Sequence, residues 1–299
     1  MINLTLKQLR YLDAVARHRH FGRAAEDCSV TQPALSMQIK ELEDELRVPL
    51  VERGRQVRLT AMGEKVVFRA REILRAVDDI GDIARSAGRR LSGQLRLGVI
   101  PTIAPYLLPR LVAALGKSEP EIDIRVRETV TPRLIEELQN GRLDAAIVAL
   151  PVSEAALAET ALFSEPMLVV SPNGEAEPYT PETLVTKRLL LLEEGHCFRD
   201  QALEICALGG AAPRDGLDAS SLSTLVQMVG AGLGVTLIPE MAVEVETRSA
   251  PVTVSRLAGQ QPERTVGMVW RKASPLAPQL SDLAKTVQRI AGHAGETVA

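Results

Sequence analysis

Hydrophobic residues recur at helical spacing through the first fifty residues, with short polar breaks between them. The spacing predicts a first helix over residues 6–16 and a short second helix over 21–28. Thr31 can cap a third helix, and Pro33 stands in its first turn, where a missing N–H costs little. The third helix has an apolar face that comprises Leu35, Ile39, Leu42 and Leu46. Ser29 and Val30, between the second and third helices, form a tight turn. Two helices joined in this way predict a helix-turn-helix.

The opposite face of the third helix is polar and suited to DNA. It carries Gln32, Ser36 and Lys40. Gln pairs bidentately with adenine in the major groove, Ser bonds to several bases or phosphates, and Lys meets a phosphate. We expect these side chains, with Thr31 and Pro33 at the start of the helix, to contact double-stranded DNA.

A short arginine-rich hairpin is predicted over residues 50–60. It contains Arg53, Arg55 and Arg58. One such arginine alone would be interpreted as a solvated surface charge, but three beside a helix-turn-helix indicate contacts with the DNA backbone or minor groove. The hairpin is therefore the predicted wing of a winged helix-turn-helix.

An uninterrupted helical pattern follows over residues 64–91. Its apolar positions alternate at spacings of four and three, at Val66, Ala70, Ile73, Val77, Ile80 and Ala84. Such a heptad seam predicts dimerisation through a long linker helix, and a core-facing helix is the alternative.

From residue 93 onward, strand patterns alternate with helix patterns, and the unit repeats in the second half of the chain. This order predicts a parallel α/β sheet in each of two lobes, the first completed by the C-terminal segment. Ligands usually bind in the cleft between such lobes. The predicted fold class is therefore multidomain α+β. Its predicted parts are the winged helix-turn-helix (1–63), the linker helix (64–92) and a two-lobed α/β domain (93–299, with lobes of 93–166 plus 268–299 and 167–267).

The 299-residue chain has the composition of an ordinary soluble protein, with 45% hydrophobic and 24% charged residues. Its net charge of −3 is uneven: residues 1–92 hold 17 Lys and Arg against 13 Asp and Glu, and residues 93–299 hold 18 against 25. A modestly basic N-terminal module on an acidic body fits a nucleic-acid partner without proving one.

The chain has no apolar run of the ~18 residues that span a bilayer, and charged residues stand where a signal peptide would be apolar. We therefore expect a cytoplasmic protein with no membrane partner. In that compartment, any disulfide among the three cysteines is expected to be transient and functional.

Cys197 lies in a segment that favours a thiolate. An amphipathic run begins there, which predicts Cys197 in the first turn of a helix, where unpaired N–H groups and the helix dipole favour an anion. His196 and Arg199 add nearby positive charge, and both effects lower a thiol pKa from its reference of about 8.5. Packing alone explains a cysteine in this polar setting poorly, so we interpret Cys197 as reactive.

A second thiol, Cys206, follows on the same predicted helix. A rise of ~1.5 Å per residue separates the two cysteine backbones by roughly 13 Å. A disulfide needs Cα atoms within ~7 Å, so joining Cys197 to Cys206 would require the segment to unwind, as in a switch. Because apolar residues flank Cys206, a purely structural role in a core is the alternative for it, and Cys28 is expected to be a core residue.

Two other kinds of site are not indicated. Gly230, Gly232 and Gly234 follow a helix and enter a strand, the reverse of a dinucleotide fingerprint. No second histidine stands at metal-ligand spacing from His196. We expect neither a metal nor any other cofactor.

Several motifs in the predicted DNA-binding module match a known family, namely Ala24-Ala25, Thr31-Gln32-Pro33-Ala34-Leu35-Ser36, Ile39, Leu42-Glu43 and Leu59-Thr60. They resemble the winged helix-turn-helix of LysR-type transcriptional regulators, and the resemblance continues over essentially the whole chain. Further motifs are Gly195-His196-Cys197, residues 199–203, Cys206, Ile100-Pro101-Thr102 and residues 105–109. These resemble the OxyR subfamily of hydrogen peroxide sensors. Phe198 departs from that pattern, in which Leu is frequent at this position.

The resemblance implies a two-lobed effector domain like that of periplasmic binding proteins, and a homotetramer. It also implies that Cys197 is the peroxidatic thiol and Cys206 the resolving thiol. The implied peroxide pocket comprises Thr102, Thr131, His196, Arg199 and Asp200. A disulfide between the two cysteines would then lock a rebuilt segment and shift the spacing of two winged helices on DNA.

The expected function is that of a transcriptional regulator, not an enzyme, which senses hydrogen peroxide and controls antioxidant genes. Its expected partners are an operator in double-stranded DNA, hydrogen peroxide, further copies of the chain, RNA polymerase and a cellular thiol reductant. One alternative is a LysR-type regulator that answers a small organic inducer in the cleft. The other is a thiol peroxidase, which would not need Gln32 and Ser36 on an exposed recognition face.

Overall fold

The computed structural model describes residues 3–54, 57–86, 88, 91–174, 178–207 and 217–292. They divide into two compact units, with the boundary in the chain between Ala84 and Arg85. The N-terminal unit folds around one hydrophobic core, and the C-terminal unit around two.

The N-terminal unit is a winged helix-turn-helix, as predicted. Its elements are α1 (Leu6–His18), α2 (Phe21–Asp27), α3 (Gln32–Leu46), β1 (Val51–Glu52), β2 (Arg58–Leu59) and α4 (Ala61–Ser86). Strands β1 and β2 pair antiparallel as the wing. Leu35, Ile39 and Leu42 of α3 are fully buried in the core, because they share one helical face.

Local signals set the helix starts in this unit. Thr5 and Gln8 form a capping box at α1, in which each side chain accepts a bond from the other's backbone N–H. Thr31 occupies the predicted N-cap position of α3, but its side chain makes no capping hydrogen bond. Gly63 is required where α4 meets the wing, because a Cβ there would lie 2.0 Å from the Leu50 carbonyl oxygen.

Helix α4 begins earlier than the pattern predicts, at Ala61. Of the predicted heptad seam, Ala70 is buried, whereas Ile73 and Ile80 are exposed. Phe68 and Ile83 are exposed on the same helix. Large apolar side chains thus remain uncovered along α4, as a dimerisation helix requires, and the dimer itself stays a prediction.

Within the described residues, the C-terminal unit contains a mixed sheet of seven strands and a smaller sheet of two strands. Its strands and helices are β3 (Gly93–Val99), α5 (Ala104–Ser118), β4 (Ile122–Glu128), α6 (Thr131–Gln139), β5 (Ala145–Leu150), β6 (Leu157–Pro172), α7 (Pro181–Leu184), β7 (Leu191–Leu192), α8 (Cys197–Ala207), β8 (Asp218–Ala219), α9 (Leu222–Gly230), β9 (Thr236–Pro239), α10 (Val243–Glu246), β10 (Val252–Ser255), β11 (Glu263–Arg271) and α11 (Ala277–Gly292). A 3₁₀ turn, Glu240–Ala242, precedes α10.

The strand directions correct the prediction of a parallel sheet in part, because β7 and β8 also pair parallel, as a separate two-stranded sheet. The order is β10-β6-β11-β5-β3-β4, with β9 also paired to β6. Strands β4, β3 and β5 are parallel, whereas β11, β6, β9 and β10 pair antiparallel with their neighbours. Hydrophobic alternation indicates which residues form a strand, but the direction in which a strand pairs is set by distant chain segments.

Strand β6 joins the two cores of this unit. Its first part, residues 157–166, pairs with β11, and residues 167–172 pair with β9 and β10. We call residues 91–166 and 263–292 the first lobe and residues 167–262 the second lobe, because the two core clusters divide there.

Gly234, in the glycine-containing segment of residues 230–234, serves close packing. Gly234 has a φ of +157°, and a Cβ there would lie 2.3 Å from the Arg188 carbonyl oxygen. The position therefore admits no larger residue, and this glycine before β9 is explained without a phosphate ligand.

Candidate functional site

Helix α8 lies where the two lobes meet. Its first residue, Cys197, is half-buried and packs against the core of the first lobe. The next residue, Phe198, is buried in the core of the second lobe, as are Ile205 and Cys206 near the end of the helix. The position predicted for Cys197, in the first turn of a helix, is therefore confirmed.

The second thiol has different surroundings. Cys206 is 0% exposed, and burial raises the pKa of its thiol. It lies on the same helix as Cys197, so that the helical rise separates the two backbones by roughly 13 Å. Both cysteines are free, and this conformation does not allow a disulfide between them.

One of the two predicted sources of positive charge near Cys197 is corrected, and the other is paired with a carboxylate. Burial lowers the pKa of His196 more than nearby Glu193 raises it, which favours the neutral imidazole. Arg199 donates from Nη1 to the Leu192 carbonyl oxygen and to Asp218 Oδ1, both at 2.7 Å. Its charge is thus paired with Asp218.

Asp200, the other α8 residue of the predicted pocket, is exposed to solvent. The structure therefore gives it no share in a buried pocket. The sequence pattern places it in the first turn of α8, and an acidic residue there is favourable for the helix dipole.

Thr131 has a hydroxyl that is ready to bond a ligand. It is the first residue of α6, and its Oγ1 is buried without a hydrogen-bond partner among the described residues. The loop before Cys197 lies against the same helix start, since a Cβ on Gly195 would be 3.7 Å from Val130 Cγ2. The structure thus brings Thr131 and the Cys197 loop together.

Thr102 belongs to a buried network that includes an arginine which the sequence analysis missed. Arg264 donates from Nη1 to Thr102 Oγ1 at 2.8 Å and from Nη2 to the Thr102 carbonyl oxygen at 2.9 Å. Its Nε donates to Glu165 Oε1 at 2.9 Å. Arg264 is 1% exposed, and the carboxylate of Glu165 balances its charge.

A signal for Arg264 exists in the alternation of β11. Arg264, Val266 and Met268 occupy every second position and are all buried, so an arginine stands on the core face of an apolar strand. A charged residue at such a position is either paired or functional.

The same network connects the lobes. Glu165, at the end of the first-lobe part of β6, also accepts a bond from the Met241 N–H through Oε2 at 2.9 Å. Tyr106 of α5 donates to Glu246 Oε1 at 2.7 Å, and burial together with this carboxylate raises the Tyr106 pKa. Hydrogen bonds to the carboxylates of Glu165 and Glu246 therefore connect the first lobe to the second beside the Thr102 network.

Gln201 is a further polar residue near the thiol. It follows Cys197 by one helical turn and so shares its face of α8. Its Oε1 is buried without a hydrogen-bond partner in the described part of the chain. Among the described residues, no group of three or more His, Cys, Asp or Glu side chains could hold a metal ion.

The predicted DNA surface is present on the N-terminal unit. Thr31, Gln32, Pro33 and Lys40 are exposed on α3, and Ser36 is half-buried beside them. These side chains lie outside the buried stripe of α3 and face outward, as the pattern predicts.

The wing arginines differ from one another. Arg58 is exposed on β2. Arg53 is exposed but forms an ion pair with Glu43 at 3.4 Å, and its guanidinium lies 5.7 Å from the centre of the Phe21 ring. Arg55 lies outside the described residues. A contact of Arg53 with DNA would therefore compete with these internal contacts.

Comparison with known proteins identifies the family. Residues 6–64 match the bacterial regulatory helix-turn-helix protein of the lysR family, and residues 88–291 match the LysR substrate binding domain. The chain belongs to the LysR family. Within the family it is 41% identical over 296 residues to the DNA-binding transcriptional dual regulator OxyR of Escherichia coli, with 97% of each chain covered. This similarity places the chain in the OxyR group.

Solved structures of the OxyR group have the same fold. Full-length OxyR from Pseudomonas aeruginosa, a Cys-to-Asp variant, is 39% identical, with a TM-score of 0.73 and coverage of 96% of this chain and 95% of that one. A Cys-to-Ser variant of Corynebacterium glutamicum OxyR, with hydrogen peroxide bound, is 33% identical, with a TM-score of 0.68 and coverage of 98% and 94%. In this chain, no described helix is long and apolar enough to cross a membrane.

Proposed function

We propose that this chain is a DNA-binding transcriptional regulator that senses hydrogen peroxide through Cys197 and Cys206 and controls antioxidant genes. One observation carries the proposal: a half-buried thiol at a helix start faces the lobe junction, and a second thiol lies buried on the same helix. The similarity to OxyR proteins, one with hydrogen peroxide bound, supports the choice of oxidant.

In the first step, the Cys197 thiolate attacks one oxygen of hydrogen peroxide. The S–O bond forms while the O–O bond breaks, so that sulfur loses two electrons, and the departing hydroxide takes up a proton to become water. The unpartnered Thr131 Oγ1 can bond the peroxide, and the Thr102 hydroxyl, which Arg264 already fixes, can orient it. Neutral His196 can accept or donate a proton nearby.

In the second step, the sulfenic acid of Cys197 condenses with the Cys206 thiol. A disulfide forms, and the sulfenic oxygen leaves as water with the thiol proton. Helix α8 has to unwind for this step, because the two backbones are otherwise too far apart. The new bond then holds a rebuilt segment, which changes the packing at the lobe junction.

The rebuilt segment would change how copies of the chain bind DNA. We propose that two copies associate through α4, where Phe68, Ile73 and Ile80 are exposed, and that dimers assemble further into a tetramer. The oxidised form would shift the winged helices on the operator and alter the contact with RNA polymerase. A thiol reductant in the cytoplasm would return the disulfide to two thiols.

Mass spectrometry of trapped thiols after a near-stoichiometric pulse of hydrogen peroxide tests the proposal. We expect a Cys197–Cys206 disulfide to form rapidly, with Cys28 unchanged. A Cys206→Ser variant should form the sulfenic acid at Cys197 without reaching the oxidised conformation, and a Cys28→Ser variant should behave as the unmodified chain. Slow or unselective oxidation would overturn the redox role and leave a LysR-family regulator of a small organic inducer.

The same experiment separates a sensor from a thiol peroxidase. A sensor consumes about one peroxide per chain before the disulfide stops the reaction. Rapid multiple turnover with a small thiol reductant would instead indicate an enzyme.

A further inference from the structure

We propose that Phe198 is a positioning residue that keeps α8 helical, the conformation called closed below, through the contact of its ring with the Arg264 guanidinium. The proposal rests on the proposed redox function, because it concerns the opening of α8 that disulfide formation requires. Phe198 then sets how fast the oxidised thiol of Cys197 can reach Cys206.

The contact is buried on both sides. Arg264 Cζ lies 5.4 Å from the centre of the Phe198 ring. The side chain of Arg264 is 0% exposed, and Phe198 is 2% exposed. A cation over an aromatic face is attracted most strongly where water is excluded from both groups.

The orientation of the guanidinium is fixed independently of Phe198. Its N–H groups donate to Glu165 Oε1, Thr102 Oγ1 and the Thr102 carbonyl oxygen. Guanidinium N–H bonds point outward in the plane of the group, so these bonds leave its face available to the ring. The first lobe thus presents a rigid cationic surface, and α8 places an aromatic ring on it.

Opening of α8 breaks this contact. Phe198 lies between Cys197 and Cys206, next to the thiol that has to move. Bringing the two Cα atoms within ~7 Å requires residues of the intervening segment to leave the helix, and the ring then leaves the guanidinium. The contact therefore stabilises the closed helix in the reduced protein and opposes the second step, while the first step needs no opening.

A leucine at position 198 would fill much of the same apolar space but has no aromatic face. In Phe198→Leu, we expect sulfenic acid to form at Cys197 at an unchanged rate and the disulfide to form roughly tenfold faster. Rapid quenching followed by mass spectrometry measures the two products separately. Ile205→Val is the matched control, because Ile205 packs in the same core from the same helix, and its disulfide rate should stay near that of the unmodified chain.

Fluorination separates the electrostatic contact from packing. Replacing Phe198 by 3,4,5-trifluorophenylalanine nearly preserves the shape of the ring but withdraws charge from its face. We expect the disulfide to form faster and the α8 amides of the reduced protein to exchange hydrogen faster, since both report the opening of the helix.

Two outcomes would overturn the proposal. One is a fluorinated chain whose α8 exchange equals that of the unmodified chain, and the other is an Ile205→Val variant that opens as readily as Phe198→Leu. Failure of the unmodified chain to form a Cys197–Cys206 disulfide would instead reject the proposed function. The exchange measurement in the reduced protein would still decide whether Phe198 holds α8 closed.

Discussion

The two ends of α8 carry the same functional group in opposite surroundings. Cys197, at the start, is half-buried at the lobe junction beside polar side chains, whereas Cys206, near the end, is 0% exposed in an apolar core. The comparison teaches that position along one helix sets the surroundings of a thiol: Cys197 is partly accessible to solvent, and Cys206 is shielded from it.

Removing the thiol at the polar end should have the largest effect. In Cys197→Ser we expect the reaction with near-stoichiometric peroxide to slow by roughly a hundredfold or more, because a hydroxyl at neutral pH is a far weaker nucleophile than a thiolate. The rate at which each chain consumes hydrogen peroxide measures the change. A Cys197→Ser chain that still switched its DNA binding with peroxide would show that Cys197 is not the sensor.

The start of α8 lies beside a buried ion pair, formed by Arg264 and Glu165, whereas Cys206 lies in an apolar core. Glu165→Gln should lower the free energy of unfolding of the C-terminal unit by about 3–5 kcal/mol, because it leaves the buried Arg264 charge uncompensated. Urea unfolding under reducing conditions measures the change.

The control for that variant is Glu240→Gln, which breaks the exposed pair of Glu240 with Arg256. It should change stability by no more than about 1 kcal/mol. Equal effects of the two substitutions would mean that burial of the Arg264 pair does not matter.

A third substitution tests the hydroxyl that lacks a partner. In Thr131→Val we expect the peroxide reaction to slow by roughly tenfold with no loss of stability, because the buried Oγ1 makes no hydrogen bond that the variant would lose. Thr183→Val should instead lower the stability and leave the rate of the peroxide reaction unchanged, because Thr183 Oγ1 accepts a hydrogen bond from the Thr180 N–H in a capping box. Reaction rates and unfolding curves of both variants decide the matter, and a stability loss without a rate change in Thr131→Val would contradict the assignment.

The smallest expected effect is a pH dependence at the apolar end. Burial raises the pKa of Cys206 above that of the unfolded chain, so on raising the pH the unfolded state loses the thiol proton first. The contribution of Cys206 to stability should therefore be fully present below about pH 8.5 and decline at higher pH. Unfolding curves of the reduced chain and Cys206→Ala between neutral and alkaline pH should converge, and parallel curves would contradict a buried thiol.

Some features of the site could be predicted from local sequence. The helical run that begins at Cys197 predicts the first-turn position of that thiol, and the apolar residues around Cys206 allow its burial. The charge of His196 could not be predicted in this way, because its pKa depends on burial that distant residues supply. The assignment of the two thiols as a peroxide-sensing pair stays a proposal.

The winged helix-turn-helix and the start of α8 were determined by the sequence itself, since helix periodicity, capping residues and tight turns act over a few residues. The direction of strands β6, β9, β10 and β11 and the buried network of Thr102, Glu165 and Arg264 were decided only by the tertiary structure. The partners of Arg264 lie 99 and 162 residues away along the chain, and such pairs form only when the sheet brings their strands together. Burial then sets how strongly the charges of such a pair interact, and no local pattern contains that information.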